Sequence, residues 1–351
     1  MKAIVVTAPN ILEFKDLPLP VPKRGQVRIR TMACGICATD LEMIGGWKRT
    51  SFPVIPGHEW SGIVDTVGDG GDNTIIGRHC VAENILRDGG EVGFEHPGGY
   101  AECFITEADN LHFLPDDFPM TVAALIEPLA VAIRAWRRLR IEDKSSVLIM
   151  GDGPIGLLMT MLLKRSGVCK ITVMGGRENR LALAGKLGAE RTLNYHHFGE
   201  HGMESAHEVL NCSFPNVIEA SGAAAAMKMA IKLVSKQGKV LVIGDYKQAA
   251  AGFPWNHLLH NELALIGSNA SAQAWPEAVQ TAIDLQQCLS GLISHKWPAV
   301  EFADALDAVR NDREVIKAIL YWDGQAGKGK NNNPPAPAPG GGNAIVARAI
   351  G

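Results

Sequence analysis

Hydrophobic residues come in short, strand-length runs near the start of this chain and in longer blocks with helical spacing through its middle. Over the first ~115 residues the runs "KAIVV", "QVRIRTMA", "SGIVDTVG", "GRHCVAE" and "YAECFITE" are bounded by Gly, Pro and Asp. They predict a β-rich region. From Thr121 to Arg138, "TVAALIEPLAVAIRAWRR" is largely apolar with a basic end and predicts a helix, which Pro128 is expected to kink or break.

From Ser146 the period changes. "VLIM" predicts a buried strand, followed by a glycine turn and the apolar helix "PIGLLMTMLLKRSG". Strand "ITVM", helix "NRLALAGKLGA", strand "NVIEA", helix "AAAAMKMAIKLVS" and strands "KVLVIG" and "LALIG" come next. Strands alternating with helices predict βαβ crossovers and a parallel sheet. The block ends near Ser268. "WPEAVQTAIDLQQCLSGLISHKWP" and "FADALDAVRNDREVIKAILYW" return to helix and short strand and, by pattern alone, fit either region. Residues 324–351, rich in Gly, Pro and Asn with no core-forming period, are read as a flexible tail.

Composition narrows the class. The 351 residues leave room for two domains, and 46% hydrophobic with 20% charged residues is ordinary for a soluble globular protein. A formal charge of -3 offers no electrostatic reason to expect a nucleic acid partner. No apolar run reaches the roughly 20 residues that cross a bilayer, so no membrane partner is expected. "MKAIVVTAPN" meets Pro9 and Asn10 too early for a signal peptide. Seven dispersed cysteines argue against a disulfide framework and for a reducing, cytoplasmic setting.

"GDGPIG" places Gly151, Gly153 and Gly156 in G-x-G-x-x-G spacing directly after a strand, with Pro154 and Ile155 opening the helix. Gly151 permits the tight turn, Gly153 a close backbone approach to a pyrophosphate, and Gly156 close helix–strand packing. The helix N-terminus then offers free N–H groups to the phosphates. At the end of the next strand an acidic residue would hold the ribose 2′-OH of NAD. Here that position falls on Gly175, and Arg177 follows. The missing carboxylate and the nearby guanidinium, with Arg180 in support, lean towards NADP. The alternative is that Glu178 takes the ribose and NAD binds.

Metal chemistry is suggested by "CGICATD" (34–40), "PGHEWSG" and "ALIEPLAVA". Catalytic zinc takes three protein ligands from thiolate, imidazole and carboxylate and keeps one open position. Cys37, His58 and Glu127 meet that need, with Asp40 available to orient His58. Spacing alone leaves open that His58 is a turn histidine and Glu127 a helix-start carboxylate.

"GICATD", "PGHEWSG", "EPLAVA" and "GDGPIG", in this order and spacing, resemble the zinc-containing medium-chain dehydrogenase/reductase family over residues 1 to about 322. The sorbitol and polyol dehydrogenase branch is the nearest in character. The resemblance implies an α/β protein: a Rossmann doubly wound parallel sheet domain (141–269) inserted in a β-rich, GroES-like catalytic domain (1–140 and 270–322). It implies Cys37 and His58 as zinc ligands, Glu59 or Glu127 as an exchangeable third, and Thr39 as the first proton relay at the substrate oxygen. The implied reaction interconverts a secondary alcohol of the polyol, sugar or cyclitol class and its ketone, with hydride transfer to or from NAD(P).

Two departures from the family bear on this. Where many members carry a four-cysteine structural zinc lobe, residues 82–102 hold no cysteine, and Glu91, Glu95 and His96 are a poor substitute. One catalytic zinc per chain and no structural zinc is therefore expected. Glu42 stands where relatives often place a proton-passing histidine. Trp47, Lys48 and Arg49 are expected near the rim of the substrate site, and Cys34 is read as a buried bystander. A homo-oligomer, dimer or tetramer, is expected. Two other readings compete: a metal-free quinone or enone reductase of the same superfamily, and a non-catalytic nucleotide-binding protein. The retained Cys, His and Glu set speaks against the first and the intact Thr39 against the second.

Overall fold

The computed structural model describes residues 1–141, 145–168, 170–199, 202, 210–247, 250, 252, 255–322 and 347–348. It divides into two units. One comprises Met1–Glu127, Val279–Gln286 and Ile293–Gly351, the other Pro128–Ala278 and Gln287–Leu292. These boundaries differ from the expected 140/141 and 269/270. Arg134 donates to the Ala272 carbonyl at 2.9 Å, and Arg137 donates to the Gln273 carbonyl at 2.8 Å and pairs with Glu277. Those bonds tie the helix before the glycine-turn strand to the segment after the parallel sheet.

In the first unit, β1 (Lys2–Ala8) and β2 (Ile11–Asp16) form an antiparallel hairpin. A mixed seven-stranded sheet holds β3 (Gln26–Gly35), β4 (Glu59–Val67), β5 (His79–Ala82), β6 (Cys103–Glu107) and β7 (Leu111–Phe113). Its remaining strands are Ile293–Pro298 and Lys317–Tyr321, the latter antiparallel to β3. Burying apolar residues of these strands gives a core that includes Ile4, Ile29, Trp60 and Phe104, with Phe302 from the helix Phe302–Asn311 packed into it. A short helix α1 (Ala38–Ile44) follows β3.

The Thr121–Arg138 segment forms two helices, α2 (Met120–Ala123) and α3 (Ile126–Leu139). The break falls ahead of Pro128, not at it. Pro128 lies in the first turn of α3, where a helix leaves N–H groups unbonded anyway, so its missing donor costs nothing.

In the second unit β8 (Ser146–Met150), β9 (Lys170–Gly175), β10 (Arg191–Asn194), β11 (Phe214–Glu219), β12 (Val234–Val242) and β13 (Ala264–Gly267) form one sheet, ordered β10-β9-β8-β11-β12-β13. Every adjacent pair is parallel. Counted from β8 the order is 3-2-1-4-5-6, the doubly wound arrangement, whose switch point lies between the first and fourth strands. Helices α4 (Pro154–Arg165), α5 (Glu178–Leu187) and α6 (Ala224–Leu233) make crossovers. α6 stops at Leu233, two residues short of the sequence expectation, because β-branched Val234 enters β12 and pairs with Phe214.

The 324–351 tail lies outside the described residues apart from Ala347–Arg348, which pair antiparallel with β2. Among the described residues no helix is long and apolar enough to cross a membrane.

Candidate functional site

Cys37, His58 and Glu59, three of the candidate metal ligands, sit at two neighbouring strand ends. In the β3–β4 register Cys34 stands opposite Trp60 and Gly35 opposite Glu59. Cys37, just past β3, and His58, just before β4, therefore leave the sheet side by side. Cys37 is the extended residue before α1, with φ -103° and ψ 157°. The ligand atoms of Cys37, His58 and Glu59 all lie within 4.8 Å of one another. Zinc–ligand bonds of 2.0–2.3 Å place tetrahedral donors about 3.5 Å apart, so a small contraction would let a thiolate, an imidazole and a carboxylate share one ion. That donor set fits zinc.

Asp40 is fully buried and serves two neighbours. Its Oδ2 accepts the Cys37 N–H at 2.8 Å, closing the first turn of α1, and its Oδ1 lies 3.2 Å from His58 Nδ1. Nδ1 is thereby turned to Asp40, and the other ring nitrogen is left for a ligand role. Burial alone would lower the proton affinity of His58. The Asp40 carboxylate, with Cys37 in support, more than offsets that and holds its pKa well above the usual range. Thr39 is half-buried, with its hydroxyl 3.6 Å from Cys37 Sγ.

Glu59 is 2% exposed and ion-paired to Lys317, which is 3% exposed and also donates to the Ile36 carbonyl at 3.1 Å. Burial opposes the ammonium form of Lys317, but Glu59 and then Cys37 raise its pKa on balance. Gly35 makes room for the pair, since a Cβ there would overlap the Glu59 carboxylate. Glu127, in the first turn of α3, is not in the three-donor group among the described residues. It is close enough to be perturbed: burial lifts its carboxyl to about 7, opposed by His58 and reinforced by Glu59. Cys34 is fully buried, and burial pushes its thiol well up.

The glycine turn follows from local geometry. Gly151, at φ +122°, would bring a Cβ to 2.9 Å from Ala220 C and Ser221 N. Gly153 precedes α4, and a Cβ there would meet nothing within 4 Å, so the backbone stands open to a phosphate. A Cβ on Gly156 would run into the Gly151 carbonyl oxygen. Pro154 occupies the first helical turn, where no N–H donor is needed, with Ile155 behind it.

At the end of β9, Gly175 lies against the carboxylate of Asp152 from the glycine turn. Asp152 Oδ2 accepts the N–H groups of Gly176 and Arg177 at 2.9 and 2.8 Å. Arg177 and Arg180 are both half-buried at the start of α5. Burial and then Arg177 lower the pKa of Arg180, while Asp152 raises it. Glu178, the alternative ribose ligand, contacts Asn194 and lies 3.6 Å from His197.

Comparison with known proteins agrees with both halves. Residues 154–285 match the family described as zinc-binding dehydrogenase, and residues 23–116 the alcohol dehydrogenase GroES-like domain. The chain belongs to the zinc-containing medium-chain dehydrogenase/reductase family. Like its relatives, this dehydrogenase is an alcohol–carbonyl oxidoreductase. It is 28% identical to the D-arabitol-phosphate dehydrogenase of Enterococcus avium, over 90% of this chain and 96% of that one. It is 29% identical to the D-altritol 5-dehydrogenase of Agrobacterium fabrum, over 90% and 98%. Two solved structures share the fold. A short chain alcohol dehydrogenase from E. coli CFT073 complexed with NADH has a TM-score of 0.84 at 23% identity, over 92% of this chain and 99% of that one. A zinc-binding dehydrogenase from Sinorhizobium meliloti 1021 bound to NADP has a TM-score of 0.80 at 23% identity, over 91% and 98%.

Three residues packed against the candidate site residues of this dehydrogenase escape a reading of its sequence. Lys317 sits in the apolar run "KAILY", where only its burial marks it. Asp152 is hidden inside the glycine signature that it braces. Tyr195 lies over Gly176, where a Cβ would come 2.5 Å from its hydroxyl. No sequence signal links Tyr195 to the end of β9.

Proposed function

We propose that Cys37, His58 and Glu59 hold a single catalytic zinc, with Glu127 exchanging as the third ligand, and that the enzyme interconverts a sugar alcohol or polyol phosphate and its ketone using NADP. The observation that carries this is the convergence of a thiol, an imidazole and a carboxylate within 4.8 Å beside a buried orienting aspartate. Zinc bound there supplies a Lewis acid for the substrate oxygen, and the nicotinamide supplies the hydride acceptor. The chain's own groups do the rest. Asp40 fixes the ring of His58. The Thr39 hydroxyl takes the alcohol proton and passes it on. The Gly151–Gly156 turn and the start of α4 hold the pyrophosphate.

The substrate class is supported by relatives named for arabitol phosphate, altritol and galactitol 1-phosphate. NADP is supported by Gly175, which carries no carboxylate, and by Arg177 and Arg180 beside it; the Asp152 carboxylate is already engaged by two N–H groups. A homo-oligomer is supported by β13, an edge strand with exposed Leu265, and by Trp255 and Leu259 at 70% and 66% exposure. The free cysteines support a cytoplasmic setting.

The test is turnover of a panel of polyols and polyol phosphates with NADP and with NAD, alongside zinc analysis of the parent and Cys37→Ser. Expected are turnover of a sugar alcohol, a higher kcat/KM with NADP that Arg177→Ala reduces, and one zinc per chain that Cys37→Ser loses. Full turnover by Cys37→Ser overturns the proposal.

A further inference from the structure

The cysteine-free segment 84–100 wraps the turn that presents His58. Gly98 N donates to the Ile55 carbonyl at 3.0 Å, Gly99 N to Gly57 at 2.8 Å, and Tyr100 N to Pro56 at 3.0 Å. From the other end of the segment, Asn84 Nδ2 donates to the carbonyl of His58 itself at 2.8 Å. The fit leaves no space for side chains. Gly93 has φ +84°, and a Cβ on it would stand 2.6 Å from Gly57 C and 2.7 Å from His58 N. The next residue, Phe94, lays its ring 4.9 Å from the His58 ring.

One side chain from outside the segment fastens it. Arg49 Nε and Nη2 donate to the two oxygens of Glu95 at 2.6 and 2.7 Å, and Nη2 also donates to Glu91 at 2.8 Å. Its guanidinium lies 4.6 Å from the centroid of the Phe94 ring. A planar, forked donor is what this arrangement needs: two parallel bonds to one carboxylate, a third to another, and a face left for an aromatic ring. Arg49 is therefore not a free cation at the rim of the substrate site, as its sequence position suggests.

We propose that residues 84–100 form a collar that fixes the His58 ring for its metal, and that Arg49 is the positioning residue that closes the collar, acting through Phe94. This rests on His58 being a zinc ligand. The ion pairs are about a third exposed, and pairs of that kind add little to global stability. Their loss should therefore appear at the metal before it appears in the melting temperature.

The test compares the parent, Arg49→Ala, Phe94→Ala and the double variant. Zinc release to a chromogenic chelator and the visible spectrum of the cobalt-substituted protein report on the metal. Amide hydrogen exchange over 84–98 in the metal-free protein reports on the collar by itself. Each single variant is expected to release zinc about tenfold faster, the scale typical of losing an outer support of a ligand. The double variant should release it no faster than either. The cobalt bands should shift, and exchange over 84–98 should rise in Arg49→Ala. Arg49→Lys should recover only part of the loss, and it and Phe94→Leu carry the comparison if an alanine variant does not fold. Parent-like release from Arg49→Ala or Phe94→Ala overturns the proposal, as do effects that multiply. If the parent keeps zinc that Cys37→Ser loses while Arg49→Ala changes nothing, the collar fails and the metal site stands. If the parent holds no metal, both fail.

Discussion

Replacing Asp40 by asparagine removes one charge and almost no volume from a position with 0% exposure. Asp40 Oδ2 accepts the Cys37 N–H at 2.8 Å, and its Oδ1 faces His58 Nδ1 at 3.2 Å as an ion-pair contact. Asparagine has one acceptor oxygen, so whichever neighbour keeps it, the other faces an NH₂ group. A hydrogen bond to a charged partner contributes about 1.5–3 kcal/mol. At 1.4 kcal/mol per factor of ten, losing a charged contact of that size with His58 weakens zinc binding by roughly 10–100-fold, the range typical for such orienting carboxylates. If the lost bond is instead the one to Cys37 N–H, the first turn of α1 loosens at a cost of about 1 kcal/mol. The assay is zinc affinity by competition with a chromogenic chelator, run beside the melting temperature of the metal-free protein to separate binding from folding. An Asp40→Asn protein with zinc affinity within twofold of the parent would refute the claim that this carboxylate sets the His58 ring.

Two further outcomes are expected. Gly156→Ala would push α4 off the Gly151 carbonyl, so the dissociation constant for NADP, read by fluorescence quenching, should rise at least about tenfold while zinc content holds; an unchanged constant contradicts the packing role given to Gly156. At pH 8 an alkylating reagent should label exposed Cys212 and Cys288 and spare Cys34 and Cys80, because both latter thiols are buried and burial lifts Cys80 to about 12, leaving almost no thiolate. Peptide mass spectrometry reads the sites, and native Cys80 reacting as fast as Cys212 would count against that account.

The nucleotide half was legible from sequence because its determinants are local. A strand, three spaced glycines and a helix follow one another without interruption, so their geometry is written in adjacent residues. The metal half was legible only as scattered short motifs whose resemblance to a known family drew them together. Two of its features could not be read at all. Lys317 reaches Glu59 because Lys317–Tyr321 lies beside β3 while Glu59 lies on β3's other side, opposite Gly35. Arg49, with the look of a substrate-facing cation, is engaged by Glu91 and Glu95. Pro128 shows the reverse case, in which a general rule about proline was right but its position within α3 removed the consequence.

By itself, then, the sequence determined the alternation of strands and helices, the glycine turn and the identity of the zinc-compatible side chains, since periodicity and donor chemistry belong to residues one at a time or in short runs. Only the tertiary structure brought the Glu59 carboxylate within 4.8 Å of the Cys37 and His58 donors, paired it with Lys317 and set Asp40 and Phe94 beside the histidine ring. Those depend on strand register and on loops meeting across a sheet, where partners distant in the chain are chosen by distances of a few ångströms.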